Sequence, residues 1–423
     1  MRTLLSRYGA AVWSEDLVED LIMLTTLLSF ITMLSISLPT PCWFAKQART
    51  GDGSNAKRFI RRRAIVKVHV IGAGTIGGLA GAWMAKSGVD VTFVDVNHDH
   101  MQAIRTAGLV INGARGQHRV PAQKAVTPDE LNEPLECVFL AVKSQHTTAA
   151  LKPVTSLLRP DGFVVSLQNG LVNEDVIASM VGTERTVGAL PDYGGAYIGP
   201  GQLEMAIDGP VYVGELNGNI TPRVQDIHKL LSCVADCHLL TDIKARIWAK
   251  TCHGAQIATT TLVDATSYEV MVQERARYVS APMIRERLEV AYAYGVKVPA
   301  GPFFDPALYF PRTPADTRRL FAFIDEAIGR LNHHRLQVHP GGYRCLFQAS
   351  GHHWDITRCH RKSELRWSDG PLEEKAAAVG IPLLLNTRLH RMIYEIEEGK
   401  RAMGWHNIDE LREFIQSQGK ELP

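Results

Sequence analysis

Ile65 to Gly78 reads IVKVHVIGAGTIGG, and this stretch decides the fold class. A short β-branched run ends in Gly72-Ala73-Gly74-Thr75-Ile76-Gly77, a GxGxxG pattern, and a helical pattern (GGLAGAWMAKSG) follows. A glycine-rich turn alone says little. Between a strand and a helix it has a mechanism. Gly72 permits the tight turn, Gly74 lets the backbone approach a pyrophosphate, and Gly77 lets the helix pack close to the sheet. The helix N-terminus offers free N–H groups and the positive end of its dipole to phosphates. A dinucleotide is the expected ligand of residues 72 to 77.

A second strand, VDVTFVDV, follows and ends at Asp95. A carboxylate there accepts hydrogen bonds from ribose hydroxyls and repels a 2′-phosphate. Asp95 therefore favours NAD over NADP. Further apolar runs lie at Cys137–Val142 (CVFLAV) and Phe163–Leu167 (FVVSL). Strands alternating with helical stretches argue an α/β domain with a parallel sheet. From about Thr241 the pattern turns helical, as in SAPMIRERLEVAYAYG and RLHRMIYEIEEGKRA. The expected division is residues 1–64 as an N-terminal extension, 65–240 as a Rossmann domain, and 241–423 as a helical substrate domain.

The 423 residues carry a net charge of +2 and 45% hydrophobic content. That is ordinary for a soluble globular protein and gives no nucleic-acid footprint. The basic run KRFIRRR (Lys57 to Arg63) reads as a solvated linker. The seven cysteines include no CxxC pair, and Cys233 and Cys237 are spaced for one helix face. Reduced thiols in a cytoplasmic enzyme are expected. The late histidines, among them His333, His334, His339, His352, His353 and His360, fit no common metal-ligand spacing. Leu21 to Ala45 carries no charge over about 25 residues, long enough to span a bilayer. It reads as an anchor, as an appendage that does not insert, or as translation from upstream of the true start.

Ile247 to Asp264 reads IWAKTCHGAQIATTTLVD, and between Trp248 and Val263 the one formal charge is Lys250. A lysine in so uncharged a segment must be paired, neutralised or used.

With these residues in hand, the chain from about Val66 onward resembles the ketopantoate reductase family. VIGAGTIGG looks like that family's nucleotide loop. AVKSQHT is similar to its AVK-S/A-x-x-T block and places Lys143 at a strand end. LQNGLVNED resembles its QNG turn, which carries Asn169. IWAK matches the helix bearing its catalytic lysine, here Lys250. ASGHHWDI resembles its serine block, with Ser350. RKSELRWSDG looks like its K-T-E-x-D-x-x-x-G block, with Glu364. The resemblance implies an all-α C-terminal domain like that of 6-phosphogluconate dehydrogenase. It also implies NAD(P)H-dependent reduction of a 2-oxo acid, by default 2-dehydropantoate to pantoate in pantothenate biosynthesis. It further implies that Lys250 donates the proton and Glu364 orients it, that Asn169 and Ser350 bind substrate, that Lys143 and Asn169 lie by the cofactor, and that the chain dimerises.

Three positions depart from the family. Gly254 and Ala258 stand where pantothenate enzymes carry asparagines, four and eight residues after the lysine. Arg366 stands where the family has an aspartate. Small residues suit a bulkier or more apolar 2-oxo acid. Arg366 either holds a carboxylate or faces water. Two rival readings stay open: an NAD-dependent D-2-hydroxyacid dehydrogenase for a branched or aromatic 2-oxo acid, and a non-catalytic dinucleotide sensor.

Overall fold

A computed structural model describes residues 67–333 and 350–423. The expectations for Leu21 to Ala45, for the basic run Lys57 to Arg63, and for His334 and His339 lie outside the described residues. Among the described residues, no helix is long and apolar enough to cross a membrane.

The main sheet has eight strands. Its centre is β1 (Val68–Ile71), with β2 (Val91–Val94) on one side and β6 (Leu135–Leu140) on the other, both parallel. Every residue of β1 and β2 is buried, as a sheet covered on both faces requires. Strand β5 (Lys124–Val126) extends the β2 side, and β7 (Leu158–Ser166) and β8 (Thr186–Pro191) extend the β6 side, again parallel. The two outermost strands depart from the expected parallel sheet. Strand β11 (Val211–Glu215) runs antiparallel to β8, and β12 (Cys237–Leu239) is parallel to β11. The physical reason is the connection. Between β8 and β11 the chain makes a hairpin, β9 (Gly194–Gly199) and β10 (Gln202–Ile207), so it returns without a helical crossover.

That hairpin joins β3 (Leu109–Gly113) and β4 (His118–Val120) in a second, four-stranded sheet of order β4-β3-β10-β9. Helix α1 (Thr75–Lys86) lies between the two sheets because its faces are glycine. A Cβ on Gly81 would come within 2.4 Å of Phe93 in β2, and one on Gly78 within 2.7 Å of Leu203 in β10. Helix α2 (His98–Ala107) is capped by Asn97, whose side chain accepts from the His100 amide.

After α3 (Thr147–Leu157), α4 (Asn173–Val181) and α5 (Pro222–Ser232), the chain turns helical. Cys233 only caps the end of α5 and Cys237 begins β12, so the pair does not share a helix face. Helix α6 (Ile243–Thr260) starts at Asp242, whose carboxylate accepts from the Ala245 amide at 2.9 Å. It packs on α8 (Glu274–Ala293), with α7 (Ser267–Met271) between them in sequence. Then come α9 (Pro314–His333), α10 (Gly351–Thr357), α11 (Leu365–Ser368), α12 (Pro371–Ala378), α13 (Leu384–Glu397) and α14 (His406–Ser417). The expected α/β sheet region followed by a helical region is the observed architecture.

The helical core contains two adjacent buried charges from α8. Glu286 accepts from the Leu385 and Asn386 amides at 3.1 and 3.0 Å, at the start of α13. Arg287 is fully buried and binds Asp369 at 2.7 Å, Asn386 at 2.6 Å and the Thr251 carbonyl at 2.7 Å. Each charge meets several partners, which is the condition for burying it.

Glu174, in the first turn of α4, is buried, and its Oε1 has no hydrogen-bond partner among the described residues. Burial pushes its carboxyl up to about 7, against the opposing pull of its own backbone N–H and of Ser166. The native state therefore favours the protonated acid. This contribution is complete below the ordinary value of 4.5 and is lost as pH rises through 7. Glu174→Gln is expected to be more stable than the parent at pH well above 7 by up to about 3 kcal/mol, and to gain nothing in acid. Thermal melts of both proteins at the two extremes check this; equal gains at both would refute it.

Candidate active site

Strand order reverses at β1, with β2 to one side and β6 to the other. Open α/β sheets bind ligands in the crevice outside the strand ends at such a point. Ile71 and Leu140 are level in the register, so the loops that follow leave side by side. The first loop shows three glycines with three separate reasons. Gly72 has φ +91°, and a Cβ on it would meet the Val142 amide nitrogen at 2.7 Å. A Cβ on Gly77 would lie 2.1 Å from the Gly72 carbonyl oxygen and 2.8 Å from Ala141 Cβ. Gly74 caps α1, no side chain occupies the helix start, and its Cβ position has nothing within 4 Å. The loop therefore leaves the helix N-terminus open, with Thr75 and Ile76 half-buried beside it. A pyrophosphate fits this cradle.

Asp95 braces the same loop. Its carboxylate accepts from the Ala73 amide at 2.8 Å and the Asn97 amide at 3.0 Å. On the other side stands His100, a residue that sequence reading missed. The Gly201 amide donates to its Nδ1 at 3.0 Å, so Nε2 carries the proton and donates to the Ala73 carbonyl at 2.9 Å. Burial pushes this imidazole below its usual range, outweighing the Ala73 carbonyl and Asp95. The signal available in the sequence was a histidine beside Met101 and Ile104 on the buried face of α2.

The loop after β6 is held from the helical region. Lys143 forms an ion pair with buried Asp355, which also takes Arg361 at 2.7 Å. Glu364 accepts from the Ser144 amide at 2.7 Å and its hydroxyl at 2.8 Å. From the sheet side, Gln168 donates to the Val142 carbonyl and to Thr147, both at 2.8 Å. Asn173 donates to the Asn169 carbonyl at 2.6 Å and to the Ser144 hydroxyl at 3.0 Å. The Asn169 side chain is exposed and makes no hydrogen bond to another described residue. Gly170 follows with φ +105°, its Cβ position 2.9 Å from Ser368 Cα.

Lys250 is half-buried on α6. Its ammonium donates to the Pro191 carbonyl and pairs with Asp192 Oδ1 at 3.2 Å. Arg246, one turn earlier, binds the other carboxylate oxygen at 2.7 Å. Burial would raise the Asp192 carboxyl, but Lys250 and Arg246 together hold it below its ordinary value. No hydrogen bond or ion pair joins Lys250 to Glu364, whose carboxylate is engaged by Ser144.

The remaining expected residues sit apart from these contacts. Ser350 is buried and caps α10, accepting from the His353 amide at 3.1 Å and meeting the Thr261 hydroxyl at 3.1 Å. Ala258 lies in the helical core, and the Cβ position of Gly254 is 3.6 Å from buried Arg287. Arg366 is partly exposed at the start of α11. Its guanidinium lies 3.7 Å over the Tyr394 ring and 3.6 Å from Glu398. His352, named only among the late histidines, has a buried Nδ1 with no partner. Burial lowers it despite the fields of Asp369, Glu364 and Asp355, and Lys143 adds to the lowering.

The fold and this site define a two-part dinucleotide-binding oxidoreductase. Residues 68–218 match the family model described as ketopantoate reductase PanE/ApbA. The 2-dehydropantoate 2-reductase of Streptococcus pyogenes is 24% identical over 344 residues, 79% of this chain and 98% of its own length. That of Pyrococcus abyssi is 25% identical over 342 residues, 80% and 99%. By these measures the chain is similar to the ketopantoate reductase family. Among solved structures, a D-mandelate dehydrogenase with NADH and anilino(oxo)acetate superposes with TM-score 0.64 at 20% identity, covering 79% of this chain and all of its own. A PanE/ApbA family ketopantoate reductase from Ralstonia eutropha gives 0.63 at 22%, again over 79% of this chain and all of its own.

The glycines separate fold from ligand. Gly77→Ala is expected to lose about 1–3 kcal/mol of stability, because backbone and Ala141 must shift. Gly74→Ala is expected to melt like the parent and to bind NADH about tenfold more weakly, since its methyl enters only the open cradle. Melting curves and fluorescence titration with NADH check both; a destabilised Gly74→Ala with unchanged affinity would contradict the assignment.

Proposed function

We propose that the protein reduces a 2-oxo acid to a 2-hydroxy acid with a nicotinamide dinucleotide, with 2-dehydropantoate as the default substrate. One observation carries the reading. The carboxyl ends of β1, β6, β7 and β8 lead into the glycine loop, Lys143 and Ser144, Asn169, and Asp192, and the helical region brings Asp355, Glu364 and Lys250 onto these loops.

The bound nicotinamide supplies the hydride. Residues 72 to 77 hold the pyrophosphate on the start of α1. Lys250 gives its proton to the developing alkoxide. The unengaged amide of Asn169 hydrogen-bonds substrate, and Lys143, fixed by Asp355, borders the cofactor. Glu364 acts by anchoring Ser144 and so the loop that carries Lys143. Asp95 makes NADH the preferred donor, because a 2′-phosphate would meet its carboxylate. A branched or aromatic 2-oxo acid is the second reading. It is supported by the fold shared with D-mandelate dehydrogenase.

The test is consumption of reduced nicotinamide by the purified protein. Ketopantoate is compared with pyruvate, 2-oxoisovalerate, 2-oxoisocaproate and phenylpyruvate, each with NADH and NADPH. Ketopantoate turnover supports the first reading, and a clear preference for a bulky acid supports the second. Lys250→Ala is expected to lower kcat by about two orders of magnitude or more. NADH binding without turnover of any acid would leave a dinucleotide sensor and overturn both.

A further inference from the structure

Lys250 is the one formal charge on its segment, and the carboxylate it meets comes from elsewhere in the chain. Asp192 follows the last residue of β8, and its amide is fixed by the Pro210 carbonyl at 2.8 Å. Its two oxygens divide between Lys250 at 3.2 Å and Arg246 at 2.7 Å. Lys250 and Arg246 are four residues apart on α6, a spacing at which like charges repel. The shared carboxylate offsets that repulsion. Arg246 is also fixed by Tyr212, with its guanidinium 4.2 Å over the ring and a hydrogen bond of 3.2 Å to the hydroxyl. Another titratable group near the pair is His253, which burial pushes below its usual range and which shares a hydrogen bond with Gln256 at 2.9 Å.

We infer that Asp192 is the positioning residue of Lys250. It aims the ammonium, supplies its counter-charge and is itself set by Arg246 and Tyr212. The inference rests on the proposed role of Lys250. It differs from the family expectation in giving this task to Asp192 and not to Glu364. The Pro191 carbonyl accepts a hydrogen bond from the same ammonium, so one strand end holds it through both an ion pair and a hydrogen bond.

Two readouts test it. The first needs no substrate: the rate at which acetic anhydride labels Lys250 in the full chain, read by mass spectrometry of its peptide. Asp192→Asn is expected to label Lys250 several-fold faster than the parent, while Glu364→Gln labels it at the parent rate. The second is kinetic. Asp192→Asn lowers kcat about tenfold or more, leaves KM for NADH unchanged, and moves the alkaline fall-off of kcat to lower pH. Asp192→Glu recovers most of the loss. Should Asp192→Asn fold poorly with Arg246 left unpaired, the double variant Asp192→Asn/Arg246→Gln removes that charge and is expected to show the same faster labelling. Parent-like labelling in both variants, or a Glu364→Gln effect that matches theirs, overturns the inference. Full turnover in Lys250→Ala would instead overturn the role of Lys250 itself, whatever the labelling shows.

Discussion

The site depends on two carboxylates reaching across to one loop. Glu364 takes both donors of Ser144, and Asp355 takes the Lys143 ammonium. These residues are more than two hundred positions apart in sequence, and their contacts join the helical region to the carboxyl end of the sheet. Charge-assisted hydrogen bonds of this kind are stronger and more directional than neutral ones. They hold the loop after β6 beside the glycine loop, where Val142 already closes on Gly72.

A second constraint lies behind the first. Asp369, five residues beyond Glu364, is buried on Arg287, and Arg287 reaches the Thr251 carbonyl beside Lys250 on α6. One buried guanidinium thus relates the segment carrying Glu364 to the helix carrying Lys250. Removing one member would leave an uncompensated charge in the core, which is far costlier than losing a surface pair. Gly254 belongs to this arrangement. Its Cβ position lies at ordinary contact distance, 3.6 Å, from Arg287.

The nucleotide half of the site was legible in the sequence. Glycine positions follow from local backbone geometry, and the strand, turn and helix that confirm them are contiguous. Asp95 was placed correctly at the end of β2, yet its carboxylate also braces Ala73 and Asn97, a contact that needs the folded turn. The other half was less legible. Ser350 lies in a recognisable block, but its hydroxyl caps α10 against Thr261. Arg366 stacks on Tyr394, a residue from a different helix. Asp192 carries no motif at all, and neither do His100, Gln168 and Asn173, whose hydrogen bonds shape the loops.

The sequence by itself determined the α/β order of elements and the glycine turn that opens the first helix. Each is written in short-range spacing: continuous apolar runs, glycines at fixed offsets, and an acid at a strand end. Tertiary structure decided which charge meets which. Lys250 faces Asp192, Glu364 faces Ser144, and Arg287 faces Asp369. The reason is physical. A half-buried or buried charge takes whatever partner the packing of distant elements brings within about 3 Å, and no local pattern encodes that meeting.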